Sequence, residues 1–514
     1  MKKVQILFYL FVLSLGAFTS ACHDDLSTLD VKKIPGVVVD TTNMVALSVH
    51  QFNHLVVEPK LEKANGLAES GLSYEWRINP VPGDTVFQTI GTEKNLDYEV
   101  RFKPSVAGKY HLLRYTITDN TTGLKYIMIW PLTVKNNIGE GLIVAETYDG
   151  VNTDISHIMH PAVTADYSGE SVKYKVYSSI NGKPLPGLIK QMRFTNVYGV
   201  DALYGITDKS VVRINMLDYT LNGVNGELFY GSSTSYRPQF LGSIVQGDIY
   251  VGDGKLTGTY LGTSKKYGLP FDFPHTVPDH IALNGYNNYP PIRINFYDEE
   301  NERFVYLPSI MQFGDDDMHL VPGAPSGVFD PAAVQNKVNL AAGTNTSGDF
   351  LHLLKDKITE EVTLFVLDGG GSEYPLTIPP KPKAKISMAG APEIGNARFF
   401  VLLDNQKVMY YATESKVYAM LYSTGTPVFE LRYTVPAGEE ITTLQVYQQA
   451  DYPFRTEESP YIATNNKQLV MSTYGSEGKV YVLPMVNAGL GNIDHANIKT
   501  FAGFGRVTAI TTQL

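Results

Sequence analysis

Few side chains in this sequence have the types and spacing that catalysis or metal binding requires. His157-Ile158-Met159-His160 sets two imidazoles at helical spacing, as in a zinc pair, but in strand-and-turn texture and with no third ligand placed beside them. Asp315-Asp316-Asp317-Met318-His319 offers carboxylate oxygens suited to Ca²⁺. It lacks the alternate-residue pattern and distal bidentate glutamate of a calcium loop, so a solvated acidic loop is the expectation. The pairs Glu299-Glu300 and Glu457-Glu458 are adjacent; neighbours on a strand point to opposite faces, so neither pair clasps a glycosidic bond. A Gly-x-Ser-x-Gly elbow, a phosphate-cradling glycine loop with Lys-Ser/Thr and a His-Glu-x-x-His helix are all missing from the sequence. No catalysis, no metal and no cofactor are expected, with a degradative enzyme built from distant carboxylates kept as an alternative.

Binding chemistry is better represented. Aromatic rings in loops are free to stack on a sugar or pack against a peptide. The candidates are Tyr286 and Tyr289 in Gly285-Tyr-Asn-Asn-Tyr-Pro-Pro291, Tyr452 and Phe454 in Asp451-Tyr-Pro-Phe-Arg455, and Tyr230 and Tyr236 around Gly231-Ser232-Ser233-Thr234. The competing reading, in a chain with 33 Tyr, is that these rings cover sheet edges. Trp76, flanked by Tyr74, reads as core. Trp130 stands before Pro131, which demotes the end of its strand to an edge, and it is the better tryptophan candidate for a binding surface.

The elements that must carry these residues are strands. Twenty-three Phe and 33 Tyr beside 45 Gly and 29 Pro in 514 residues describe many short strands joined by turns, and the length allows more than one core. A net charge of −10 with no polybasic run excludes a nucleic-acid binder. A single cysteine excludes an intrachain disulfide framework. From residue 31 to 138 the pattern predicts a β-sandwich of about seven strands, among them Val37 to Asp40, Met44 to Val49, Leu72 to Ile78 and Tyr110 to Asp119. In the last of these, Tyr110 and Leu112 share one alternation phase and Leu113, Tyr115 and Ile117 the other, which predicts a bulge at Leu112-Leu113.

From residue 139 to 514 the texture becomes a series of strand pairs with polar turns, for example 296–306, 408–418 and 469–481. Their spacing is about 53 residues for seven units or about 47 for eight, which predicts a β-propeller with seven blades as the better fit. Arg506 to Thr512 is expected to close the ring against Leu142 to Glu146.

Residues 1–21 have a basic start, an apolar run from Val4 to Phe18 and small residues before Cys22, the layout of a secretion signal. Thr19-Ser20-Ala21-Cys22 resembles the lipobox of bacterial lipoproteins, and His23-Asp24-Asp25 resembles the acidic export signal of surface-exposed lipoproteins of Bacteroidetes. These resemblances imply lipidation at Cys22, an export signal at Asp24 and Asp25, a tether over 22–30, and an outer-membrane anchor with the body facing the cell exterior. Removal of residues 1–21, which carry Lys2 and Lys3 and no acid, takes the net charge to −12.

Tyr74-Glu75-Trp76, Ala107-Gly108-Lys109-Tyr110 and Thr116-Ile117-Thr118-Asp119 resemble a PKD-like domain. Together with Gly141-Leu142-Ile143-Val144, Asp149-Gly150, Tyr297-Asp298-Glu299-Glu300 and Gly503-Phe504-Gly505-Arg506-Val507, they make the whole chain resemble the PKD-like family of Bacteroidetes lipoproteins. The resemblance implies a non-catalytic accessory to a nutrient importer built from a TonB-dependent SusC-like channel and a SusD-like lipoprotein, with an oligopeptide or glycan ligand. The alternative is an adhesin or spacer that binds a host or matrix protein. Asp84-Thr85-Val86 also resembles the short O-glycosylation site of this phylum, beside its reading as an ordinary turn.

Overall fold

A computed structural model describes residues 36–514, apart from 41–46, 64–67, 103, 106–108, 136, 232–236, 260–264, 272–273, 286–291, 311–316, 374–375 and 455–459. Cys22, Asp24, Asp25, Tyr236, Tyr286, Tyr289, Asp315, Asp316, Glu457 and Glu458 therefore lie outside the described residues. No helix among the described residues is long and apolar enough to cross a membrane.

Nine strands between Val37 and Lys135 form a β-sandwich. One layer is a five-stranded sheet in the order Leu47–His50, Lys125–Lys135, His111–Asp119, Leu72–Ile78, Gln88–Gly91, with the first pair parallel. Two antiparallel pairs, Val37–Asp40 with Lys60–Lys63 and His54–Val57 with Leu96–Glu99, make up the remaining sheets. Alternate apolar side chains enter one core, and Trp76 is at its centre. Its ring stacks on Tyr115 with centroids 4.0 Å apart, and its Nε1 donates to the Glu93 carbonyl at 2.9 Å, so the one polar atom of a fully buried side chain is satisfied.

Two expectations fail in the sandwich. Trp130 is 5% exposed and stacks near Trp76, so it belongs to the core and presents no binding face. Among the described residues the pairing of its strand with Leu47–His50 begins only at Leu132, and the ring itself points into the core. No bulge occurs at Leu112-Leu113: the strand pairs in unbroken register with Lys125–Lys135 from His111 onward, and with Leu72–Ile78 from Leu113 onward. Tyr110 lies before the strand and is 50% exposed, so only Leu112 is out of phase with the buried set, and ordinary alternation accommodates it.

Seven sheets built from residues 141–513 form the blades of a propeller among the described residues. In chain order, the innermost strands of blades two to seven are Gln191–Thr195, Pro238–Ile244, Ala282–Leu283, Lys337–Thr344, Phe399–Leu402 and Glu440–Val446. The first blade takes its innermost strand from the C-terminus, where Arg506–Gln513 pairs antiparallel with Gly141–Thr147, Leu142 opposite Thr512. This is the closure expected from sequence. Each innermost strand neighbours the next, and Arg506–Gln513 touches both Gln191–Thr195 and Glu440–Val446, which completes the ring. The middle strands of the blades, such as Ile294–Asp298 and Val408–Ala412, are buried along their whole length because each blade is packed between two others.

The closing seam is held by a buried carboxylate. Glu146 is 0% exposed; its Oε2 accepts from the Gly505 backbone N–H at 2.5 Å and its Oε1 from the Ser156 hydroxyl. A Cβ at Gly505 would lie 2.4 Å from the Thr147 carbonyl oxygen, and one at Gly478 would lie 1.8 Å from that of Gly505, so the chain turns into the last strand where only glycine fits. The sandwich joins the propeller beside this seam. Arg101 donates to the Ser179 hydroxyl at 2.6 Å, and Phe52 packs into the cluster that holds Ile143, Tyr219 and Ala509.

Candidate ligand channel

Each innermost strand gives one edge to its own blade and leaves the other toward the propeller axis, so the axis is lined by backbone groups and by the side chains beside them. Two neighbouring cavities occupy it. The larger, about 410 Å³, lies between Gln191–Thr195, Phe399–Leu402, Glu440–Val446 and Arg506–Gln513. The smaller, about 290 Å³, lies where several innermost strands end, among Gly242, Leu283, Thr344, Asp404 and Pro453. Gln191, Arg193, Val446 and Gln448 line both. Volumes of this size suit a small ligand or the end of a larger one.

The charged residues in these walls are Lys190, Arg193 and Asp404. Lys190 is paired with Asp208. Asp404 Oδ2 accepts from the Tyr452 hydroxyl at 2.7 Å, from Gln448 Nε2 at 3.2 Å and from Asn466 Nδ2 at 3.4 Å. Arg193 differs. Strand alternation sends Met192 and Phe194 into the core shared with the first blade, and leaves Arg193 on the side that faces the cavities. It is partly buried, and burial lowers its pKa while Asp248 acts in the opposite direction. Asp248 is itself buried against Lys265 Nζ at 3.0 Å. A guanidinium keeps its charge in such a place.

Part of one sequence-derived loop and the first residue of another, Gly285, meet at the smaller cavity. Tyr452 and Pro453 form part of its wall, and Tyr461 packs edge-on against Tyr452 at 5.1 Å. Phe454 is half-buried beside Gly285: a Cβ on Gly285 would lie 3.1 Å from Pro453 Cγ and 3.4 Å from Phe454 Cε1. Gly285 is the last described residue before the 286–291 stretch, and it meets the Tyr452-Pro453-Phe454 turn at one end of the channel.

The other candidates are elsewhere. Tyr230 is 59% exposed and its backbone N–H bonds to the Tyr267 carbonyl at 3.0 Å, beside the outer part of the third blade. Asp317 is exposed and precedes the short strand His319–Leu320. Glu299 and Glu300 sit in a turn and serve different partners, the Asn339 backbone N–H at 2.8 Å and the Thr276 hydroxyl at 2.7 Å. His157 is on a strand, buried, with Nε2 2.9 Å from the Gly139 carbonyl; His160 lies past the strand end and packs edge-on against Phe501. Among the described residues no three His, Cys, Asp or Glu side chains group as metal ligands. Arg193, Asp404, Gln448 and Thr344 were not singled out from sequence. Arg193 sits in Gln-Met-Arg-Phe-Thr, an alternation that reads as an ordinary half-exposed strand until the ring places it on the axis.

A model of the PKD-like family matches residues 22–188, which spans the sandwich and runs into the first blade. No curated protein matches. Among solved structures, the chain is similar to the β-propeller domain of Cps50 (Swd1) from Myceliophteria thermophila, at 12% identity and a TM-score of 0.35, over 62% of this chain and 87% of that one. It is similar to the WD40 domain of SCAP from fission yeast at 10% identity and 0.32, over 63% and 73%. PorZ, described as an essential bacterial surface component of the type-IX secretion system of Porphyromonas gingivalis, aligns at 11% identity and 0.25, over 87% of this chain and 52% of that one. At these scores the likenesses carry no argument. Fold and channel together define an all-β protein, a PKD-like sandwich followed by a seven-bladed propeller with an axial cavity.

Proposed function

We propose that this chain is a non-catalytic capture protein of a bacterial cell surface, tethered to the outer membrane through Cys22 and serving a SusC/SusD-like TonB-dependent importer of oligopeptide or glycan. The observation that carries the reading is the convergence of the Tyr452-Pro453-Phe454 loop and the Gly285 loop on a polar axial cavity. Aromatic surface beside amide, hydroxyl and carboxylate groups is what holding a soluble nutrient asks of a site. The secretion signal, the lipobox-like Thr19–Cys22 and the acids after it support the address. In this reading the sandwich is a mount that carries the propeller clear of the membrane.

Growth tests the reading. A strain lacking the gene, grown on limiting oligopeptides or on limiting polysaccharides as the sole source of nitrogen or carbon, is expected to lag on one of these diets. The wild-type gene restores growth, and a variant with residues 451–454 replaced by Gly-Ser-Gly-Ser does not. Equal growth of the deletion strain on every diet would sink the proposal.

A further inference from the structure

We infer that the axial cavity around Arg193 is a carboxylate-binding site, which takes the acid end of a ligand inserted along the propeller axis. The inference rests on the ligand-capture part of the reading above and is independent of the importer as partner.

Three observations carry it. Arg193 lines both cavities, and among the described residues no carboxylate lies within ion-pair distance of it. Arg193 is partly buried and has no direct ion pair, Asp248 acting on it only from a distance, and a site that keeps a cation this way is matched to an anion brought from outside. Its Nε is buried with no hydrogen-bond partner, and so is the hydroxyl of Thr344 in the wall of the smaller cavity. Several of the surrounding polar groups are already engaged internally. Gln191 exchanges both of its amide bonds with Leu241, at 3.0 and 2.9 Å, Thr442 and Thr443 share Ser472, and the Thr512 hydroxyl donates to Gln448. Arg193 Nε and the Thr344 hydroxyl are thus two donors in the cavity walls that are buried and left without a partner.

The charge count selects the anion. One guanidinium balances one negative charge, and Asp404 in the wall of the smaller cavity repels a second. A monocarboxylate therefore fits better than a phosphate dianion. Asp404, at the end where the innermost strands stop, is suited to hydroxyl or ammonium groups on the remainder of the ligand. A peptide C-terminus and a uronic acid share this chemistry.

The test is calorimetric titration of the full mature chain in detergent with matched pairs: triglycine against triglycine amide, galacturonate against galactose, and inorganic phosphate. At least one free acid is expected to bind about tenfold or more tighter than its neutral partner, and the acid that does so names the source. Arg193→Gln is expected to abolish the difference without shifting the melting temperature by more than a few degrees, and Thr344→Val to weaken acid binding several-fold. Equal binding of acid and neutral forms, no binding of either acid, or a preference for phosphate over both acids would overturn the inference. The matched pairs decide this on the unaltered chain even where Arg193→Gln fails to fold. Failure here with importer subunits still co-purifying removes the carboxylate site alone; acid binding without any importer removes the partner and keeps the site.

Discussion

At the scale of single residues, burial sets the pH response. His157 and His352 are 0% exposed, and burial holds each imidazole at about 3 instead of the ordinary 6.5. Each presents Nε2 to an acceptor, the Gly139 carbonyl and Asn295 Oδ1, so Nε2 carries the proton and Nδ1 is left bare in the core. Below pH 6.5 the unfolded chain takes up protons that the folded chain refuses, so stability falls with pH from 6.5 toward 3, by about 1.4 kcal/mol per unit for each histidine. Lys173 acts in a separate window. Burial lowers it to about 8 from 10.5, so its contribution to stability rises as pH goes from 8 to 10.5. Melting temperatures taken from pH 7.5 to 4.5 are expected to fall, and to fall less steeply in His352→Gln, which keeps an amide donor toward Asn295. An unchanged slope in that variant would remove His352 from the account. Trp76→Ala is expected to cost the sandwich about 3–5 kcal/mol, seen as early loss of its melting transition. Trp76 was legible as core because a strand tryptophan beside Tyr74 has nowhere else to bury; Trp130 was not, because Pro131 fixes a strand edge and says nothing about which way the preceding ring turns.

At the scale of elements, the closing strand is the weak point of a ring. Glu146 supplies acceptors to Gly505 N–H and to Ser156 across the seam, and burial raises its pKa while those two bonds lower it. Glu146→Ala leaves both donors without partners in the interior, and is expected to cost about 2 kcal/mol or more in urea unfolding. Gly478→Ala pushes a methyl group into the Gly505 carbonyl and is expected to destabilise the same seam. Wild-type midpoints in both variants would mean that the seam relaxes freely. The sequence displays the middle hairpins of the blades clearly, since 296–306, 408–418 and 469–481 are apolar strands around polar turns. The innermost strands were harder to read. Those such as Glu440–Val446 mix Thr and Gln with apolar residues because one edge faces a wet channel, and Ala282–Leu283 is two residues long. The channel residues went unseen for this reason: a site built from polar positions on seven short strands has no local motif.

At the scale of the whole molecule, ring closure makes the propeller one unit and leaves its axis as the place where all seven blades contribute. Gly285 and the Tyr452-Pro453-Phe454 turn, far apart in sequence, come together there only because the ring brings the fourth and seventh blades to one end of the channel. Deleting residues 506–514 is expected to leave the first blade without its innermost strand and to convert a single cooperative unfolding transition into a broad one. The proposed anchor and partner belong to this scale too, since a capture role requires that cargo be handed on. The most direct measurement is gentle affinity purification of the tagged, lipidated chain from detergent-solubilised outer membranes, with mass spectrometry of what accompanies it. A TonB-dependent channel and its lid lipoprotein in stoichiometric amounts are the expected result; recovery of the chain alone would contradict the account.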